Sequence, residues 1–300
     1  MRTEDTSTRF IDIDLWSTHD AVEAMLEGQL AAVAAVHPAI TSLAAAADAA
    51  ALRLANNGRI VYAGAGTSGR IAIQDGIELG PTYDWNSDHI VFALAGGLDA
   101  MMRSVENAED NTEAAILAMQ QANLHYGDVV IGLAASGNTP FTAAALRQAK
   151  SVGALTIAIV CCDQSLMADI ADHTVFLDTG SEPIAGSTRM KAGTAQKVAL
   201  NILSTAIMIR LGRVYQGMMV NMRPTNNKLR TRGIAMVARI TGCDLLLAEK
   251  YYGTCHGDVK TASLCALGAT PNDAIKLLEV SGHNLRQALS AWHLKNHVLK

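Results

Sequence analysis

Between Thr18 and Asn57 apolar side chains recur at helical spacing, with alanine dominating, which predicts two helices. His37-Pro38 divides them, because proline disfavours helix in the residue before it. The rhythm then changes. Arg59–Ala63, His89–Leu94, Asp128–Leu133, Leu155–Val160 and Thr174–Leu177 are short β-branched runs set apart by helix-length intervals. That is the pattern of buried parallel strands joined by crossover helices, so the fold class is α/β with a five-stranded parallel sheet. A long helix follows over about 189–211, and nothing strand-like lies beyond Asn221. Residues 235–299 read as several short helices punctuated by glycines. Asp244 and Thr270 stand as N-caps there, with Pro271 at a first helical position. The expected organisation is a helical segment over 1–47, a sheet domain over 48–213 and a small helical domain over 214–300.

Composition narrows the chemistry. The 300 residues are 50% hydrophobic and 17% charged, enough for one large core plus an appendage. Aromatic residues are only 4%, so the core must be built from small and flexible side chains. Mean hydropathy is +0.18, yet apolar stretches such as Ala154–Cys162 fall short of the roughly 20 residues a spanning helix needs. No transmembrane segment is expected, and no membrane partner. The first ten residues lack a basic leader, an apolar run and a cleavage site, so a cytoplasmic location is expected. A net charge of −4 gives no electrostatic footprint for nucleic acid, which leaves small-molecule chemistry. Cys161, Cys162, Cys243, Cys255 and Cys265 show neither CxxC nor Cys/His ligand spacing. They argue for reduced, mostly buried thiols rather than disulfides or zinc. His293 and His297 stand i, i+4 without a third ligand or the glutamate of HExxH, and read as a terminal turn. No metal is expected.

The first chemical motif is Gly64-Ala65-Gly66-Thr67-Ser68-Gly69-Arg70. It follows a strand and opens a helix, so backbone N–H groups, the helix dipole and two hydroxyls can surround a phosphate. The spacing also satisfies GxGxxG, but Asp84 and Asp88 lie ahead of the second strand rather than at its carboxyl end, where a ribose-binding acid belongs. The plain alternative is a tight strand-to-helix turn. Ala134-Ala135-Ser136-Gly137-Asn138-Thr139-Pro140 echoes the arrangement at what should be the same carboxyl edge. It reads either as a second wall of one phosphate site or as helix initiation capped by Asn138 or Thr139. Arg189, Lys191 and Lys197 follow the fifth strand, where a cation could neutralise an anionic ligand. Arg189 and Lys191, two apart, cannot share a helix face. Ser187 and Thr188 are plausible caps as well as ligand contacts.

Taken with Gly186-Ser187-Thr188-Arg189-Met190-Lys191-Ala192-Gly193-Thr194-Ala195-Gln196-Lys197, these loops resemble the sugar isomerase (SIS) domain of N-acetylmuramic acid 6-phosphate etherases. The resemblance runs from about Asp12 to Leu289 and rests above all on the Gly186–Lys197 block. It implies a three-layer, flavodoxin-like sandwich and the removal of D-lactate from N-acetylmuramic acid 6-phosphate by a homodimer without metal or organic cofactor. The sugar phosphate would be held by Gly66, Thr67, Ser68, Gly69, Ser136, Gly137, Asn138, Thr139, Ser187 and Lys191. The resemblance also nominates Glu78 and Glu109 as the pair that divides the acid and base work; which is acid and which base stays open, and our working hypothesis makes Glu78 the proton donor to the ether oxygen.

Sequence physics speaks less clearly about that pair. Asp75, three residues before Glu78, could raise its pKa or compete for its role. Glu106, Glu109, Asp110 and Glu113 form an i, i+3, i+4, i+7 stripe that ordinarily marks a solvated helix face. The chain also departs from the family pattern. Where the family carries Asp-Ala-Ser-Glu followed by Cys and two prolines, Asp75-Gly76-Ile77-Glu78 is followed here by Leu79-Gly80-Pro81. Two other readings stand beside the etherase. One is a non-catalytic sugar-phosphate sensor like the related glucokinase regulatory protein, and the other is a nicotinamide-dependent enzyme using the GxGxxG.

Overall fold

The computed structural model describes residues 2–297. By packing the chain falls into two compact units, Met1–Ile77 with Ser87–Ile207, and Glu78–Asn86 with Met208–Lys300. The first holds the helices α1 (Thr18–Ala34) and α2 (Ile40–Leu54), then β1 (Ile60–Gly64), α3 (Gly66–Tyr83, whose last turns belong to the second unit) and β2 (Ile90–Leu94). There follow α4 (Thr112–Gln121), β3 (Val129–Ala134), α5 (Pro140–Ser151), β4 (Leu155–Val160), α6 (Leu166–Ile170), β5 (His173–Phe176) and α7 (Lys191–Arg210, whose last three residues belong to the second unit).

The five strands pair in parallel in the order β2-β1-β3-β4-β5. Every residue of β1, β3 and β4 is buried, as expected for strands covered on both faces. On one face the core is mostly alanine and valine. Ala143, Ala144, Ala145 and Ala149 of α5 lie over Val61, Ala63 and Val130, so scarce aromatics are replaced by close approach. On the other face Tyr62 and Phe92 stack with ring centroids 5.8 Å apart. A Cβ on Gly76 of α3 would stand 2.6 Å from the Phe92 ring and 2.8 Å from that of Tyr62. The absence of a side chain at Gly76 is therefore what lets this aromatic pair fit beneath the helix.

Strands β1 to β3 each begin one residue later than their hydrophobic runs. For two of them the displaced residues form an ion pair. Arg59 Nη2 donates to Asp128 Oδ2 at 2.6 Å, Arg59 Nε to Oδ1 at 3.1 Å, and the backbone N–H of Arg59 to Oδ1 at 3.0 Å. Asp128 is fully buried, at the amino edge of the sheet. Thr18–Leu54 is helical nearly throughout and apolar enough by composition to cross a membrane. Pro38 divides it into helices of 17 and 15 residues, and α2 buries Leu43, Ala46, Ala47, Ala50 and Leu54. Helix α1 buries only Ala24, Gly28 and Ala32.

The second unit opens with a small hairpin, β6 (Val214–Tyr215) and β7 (Met218–Met219), which the sequence pattern did not announce. Gln216 and Gly217 both have positive φ, 49° and 74°, as a two-residue hairpin turn of the primed kind requires. The helices α8 (Asn227–Thr241), α9 (Leu245–Thr254), α10 (Val259–Ala266), α11 (Pro271–Val280) and α12 (Leu285–His297) complete it. Asp244 and Thr270 cap α9 and α11 through the N–H groups of Leu247 and Asp273.

These helices contain a duplication. A displacement of 26 residues carries Gly242 to Gly268 and sets α9–α10 on α11–α12. The N-caps Asp244 and Asp258 fall on Thr270 and Asn284, and the left-handed residues His256 and Gly257 fall on Gly282 and His283. Buried Ala248, Val259 and Ala262 fall on Ala274, Leu285 and Ala288. Few identities survive, so the repeat is visible in caps, φ angles and burial and hardly at all in the letters.

Candidate functional site

The carboxyl edge of the sheet brings the two predicted loops together. Gly64 at the end of β1 lies opposite Leu133 of β3, and adjacent strands stand about 4.8 Å apart. Strand order reverses between β1 and β3, since β2 lies on one side of them and β4 and β5 on the other. Such a switch point opens a crevice where α/β proteins take their ligands.

The first loop depends on its glycines. Gly66 has φ +52°, in the left-handed region that favours glycine. A Cβ on Gly69 would meet Leu94 Cδ1 at 2.3 Å and the Gly64 carbonyl oxygen at 2.9 Å, and one on Gly64 would meet the Gly69 backbone at 2.9 Å. The first turn of α3 thus lies directly on the end of β1, which brings its N–H groups to the sheet edge. Gly69→Ala is expected to destabilise the protein by about 1–3 kcal/mol through overpacking and to weaken sugar-phosphate binding. Thermal unfolding and the KM of the variant measure both effects.

Helix α7 supports this loop. Ser68, buried, donates from Oγ to Gln196 Oε1 at 2.8 Å, while Gln196 Nε2, also buried, has no partner among the described residues. A Cβ on Gly193 would stand 3.3 Å from Thr67 Cγ2. The Gly186–Lys197 block therefore braces the Gly64–Arg70 loop, and Gln196 is a contact that no spacing rule announces. Ser187 and Thr188 do not supply the side-chain cap of α7. Glu182 does: fully buried, it accepts from the N–H groups of Lys191 and Ala192, each at 2.9 Å. It lies nine residues ahead of the helix, far outside capping-box spacing. Lys191 Nζ donates to the Ser181 carbonyl at 2.9 Å, and Arg189 is exposed.

The second loop is tied to its neighbours as well. Gly137 has φ +66°, and a Cβ there would stand 2.3 Å from Ser165 Oγ. Ser136 Oγ accepts from the N–H of Asn138 at 3.1 Å, and Asn138 Oδ1 accepts from the N–H of Leu166 at 2.9 Å. Asn138 thus braces the loop against α6. Thr139 stands at the N-cap of α5 without a side-chain hydrogen bond, ahead of Pro140.

Asp75 and Glu78 have separate environments. Asp75 is buried, accepting from Tyr62 Oη at 2.8 Å, Ser204 Oγ at 3.0 Å and Asn201 Nδ2 at 2.5 Å. Desolvation, with the Asp75 charge beside it, drives the Tyr62 pKa well above its ordinary value. Both Asp75 oxygens serve this internal network. Glu78, three residues on, is exposed. Glu109 is not on a helical stripe, because Asn107 is left-handed (φ 56°) and Asn111 extends, leaving Ala108–Asp110 as a lone 3₁₀ turn ahead of α4. A cavity of about 520 Å³ opens beside that turn, lined by Phe92, Val105, Glu106, Asn107, Asn111 and Phe141 among others.

Two of the five cysteines are silenced by burial. Burial pushes the Cys161 thiol up to about 12 and that of Cys255 likewise to about 12, so neither forms thiolate near neutrality. His19, Asp20 and Glu23 form a fully exposed group within 4.8 Å of one another, and exposed acidic groups of this kind do not define a metal site. His293 is exposed, and the His297 side chain lies outside the described residues.

The doubly wound sheet with hydroxyl- and glycine-rich loops at its switch point belongs, by the family models that match it, to the sugar isomerase (SIS) class. The glucokinase regulatory protein N-terminal SIS domain matches residues 42–150, and the SIS domain matches residues 100–206. A structure described as a phosphosugar isomerase involved in capsule formation, from Bacteroides fragilis NCTC 9343, shares the fold. It has a TM-score of 0.51 at 18% identity, covering 67% of this chain and 95% of that one. The N-acetylmuramic acid 6-phosphate etherase of Deinococcus radiodurans is 42% identical over 289 residues, 96% of this chain and 95% of its own length. That of Streptomyces coelicolor is 42% identical over 293 residues, 97% and 94% of the two chains. The chain belongs to the N-acetylmuramic acid 6-phosphate etherase family.

Proposed function

We propose that this protein cleaves the D-lactyl ether of N-acetylmuramic acid 6-phosphate with water, giving N-acetylglucosamine 6-phosphate and D-lactate. The observation that carries the proposal is near-full-length membership of the family together with a glutamate on the helix launched by the phosphate loop. The 6-phosphate sits against Gly66, Thr67, Ser68 and Gly69, with Ser136, Gly137, Asn138 and Thr139 on the neighbouring strand end and Ser187 and Lys191 beside α7. Glu78 stands about three turns further along α3, roughly 15 Å of helix rise beyond Ser68. The cavity near Glu109 falls within the size range of small-molecule sites.

The route is elimination followed by hydration. In the open-chain sugar the C1 aldehyde acidifies the C2 proton. Glu109 takes that proton, the C3–O bond breaks, and Glu78 protonates the departing lactate oxygen. Water then adds at C3 of the unsaturated aldehyde while a proton returns to C2, so substrate and water balance the two products. No electron leaves the substrate, and the route requires neither metal nor organic cofactor. The setting is cytoplasmic recycling of cell-wall amino sugar. The working state is a homodimer, for which the exposed stripe Val22, Leu26, Leu30 and Val33 on α1 supplies an apolar face.

Incubating the purified protein with N-acetylmuramic acid 6-phosphate should release D-lactate and N-acetylglucosamine 6-phosphate in equal amounts. Saturable binding of the sugar phosphate without turnover would instead support a sensor.

A further inference from the structure

We propose that Arg213 is a positioning residue that fixes the end of α3 and so holds Glu78 at its working place. The inference rests on the reading of Glu78 as the proton donor. Helix α3 ends weakly by sequence, since Gly80 lacks helix propensity and Pro81 has no N–H for the carbonyl four residues before it. Tyr83 and Asp84 then present carbonyls among the unsatisfied groups of a helix terminus. Arg213 Nη1 takes both, donating to Tyr83 O at 2.7 Å and Asp84 O at 2.9 Å. Its guanidinium lies 4.8 Å from the centre of the Trp85 ring, a cation–π contact.

The rest of the segment is tied into the same knot. Asp84 is held at φ +53°, an uncommon conformation for a residue with a Cβ; its N–H donates to Gly80 O at 2.9 Å, and its carboxylate pairs with Arg223. The N–H of Trp85 reaches Leu79 O at 3.3 Å, and Leu79 is the neighbour of Glu78. Residues Glu78–Asn86 accordingly pack as part of the unit that contains Arg213, whereas Gly66–Ile77 packs with the sheet. Glu78 thus stands at the start of the segment that Arg213 ties into its own unit. Loosening that segment should disturb the chemistry and spare the binding.

The test is steady-state kinetics of R213Q and R213K with N-acetylmuramic acid 6-phosphate, with folded content checked by circular dichroism. A misplacement of about 1 Å is worth on the order of 10²-fold in rate. The expected kcat is therefore roughly 10- to 100-fold below wild type in R213Q and intermediate in R213K, with KM within about twofold. In an E78Q background R213Q should not change the residual rate further, because the group it positions is gone. If R213Q does not fold, R213K alone carries the test. Wild-type kcat in the folded variants, or an equal further loss in the E78Q background, overturns the inference. Full activity of E78Q overturns the reading on which it rests and is recognised separately.

Discussion

Glu78→Gln is expected to lower the turnover of N-acetylmuramic acid 6-phosphate by roughly 10²- to 10⁴-fold, the usual worth of a positioned proton transfer. Glu109→Gln should do the same. Both side chains are exposed, so neither change should alter the fold, and KM should move far less than kcat. The two variants differ in which step fails. A base is needed to remove the C2 proton, and an acid is needed to release lactate. Exchange of that proton with deuterated water should persist in E78Q without lactate release and disappear in E109Q. Exchange lost in E78Q and kept in E109Q would reverse the assignment of acid and base. Wild-type lactate release from either variant would remove that residue from the mechanism.

Asp128→Ala is the largest expected effect on stability. The substitution leaves the Arg59 guanidinium half-enclosed without its counter-charge and strands the N–H groups of Arg59 and His125, which donate to the carboxylate at 3.0 Å each. Breaking one side of a buried pair costs about 3–5 kcal/mol, enough to lower the Tm by roughly 10 °C. The site at the opposite edge of the sheet should keep its KM at temperatures where the variant is folded. The effect should also depend on pH. Burial alone would raise the Asp128 pKa, but hydrogen bonds from Arg59 and from backbone N–H groups outweigh it and hold the pKa below the ordinary value. The stability this provides is fully present above the unfolded carboxyl pKa of about 3.9 and is lost as pH falls through the folded value. Wild type and variant should therefore differ most near neutrality and converge in strong acid. A constant difference from pH 7 down to pH 2 would rule the mechanism out.

The sheet was legible because each strand is a short β-branched run between helical intervals, and burial on both faces leaves little room for another reading. Local structure was legible too where it lies within a few residues, as in the tight turns of the glycine loops and the caps at Asp244 and Thr270. What escaped is what joins distant positions. Nothing near Asp75 announces Tyr62, Asn201 and Ser204, and nothing near Tyr83 announces Arg213. The helical stripe read through Glu109 failed for a local reason, the left-handed turn at Asn107, which asparagine permits but does not demand. The repeat in the second unit was hidden because its two halves keep geometry, cap positions and small buried side chains while exchanging most of their letters.

Two long helices begin at the carboxyl edge of the sheet, and an anion arriving there could in principle settle at either. Glu182 decides between them. By filling the amino end of α7 with a carboxylate of the chain itself, the protein occupies one berth permanently with a resident guest that cannot diffuse away. The other is the amino end of α3, framed by Gly66, Thr67, Ser68 and Gly69. Glu182 thereby closes the amino end of α7 to an outside anion during folding, before any ligand is met.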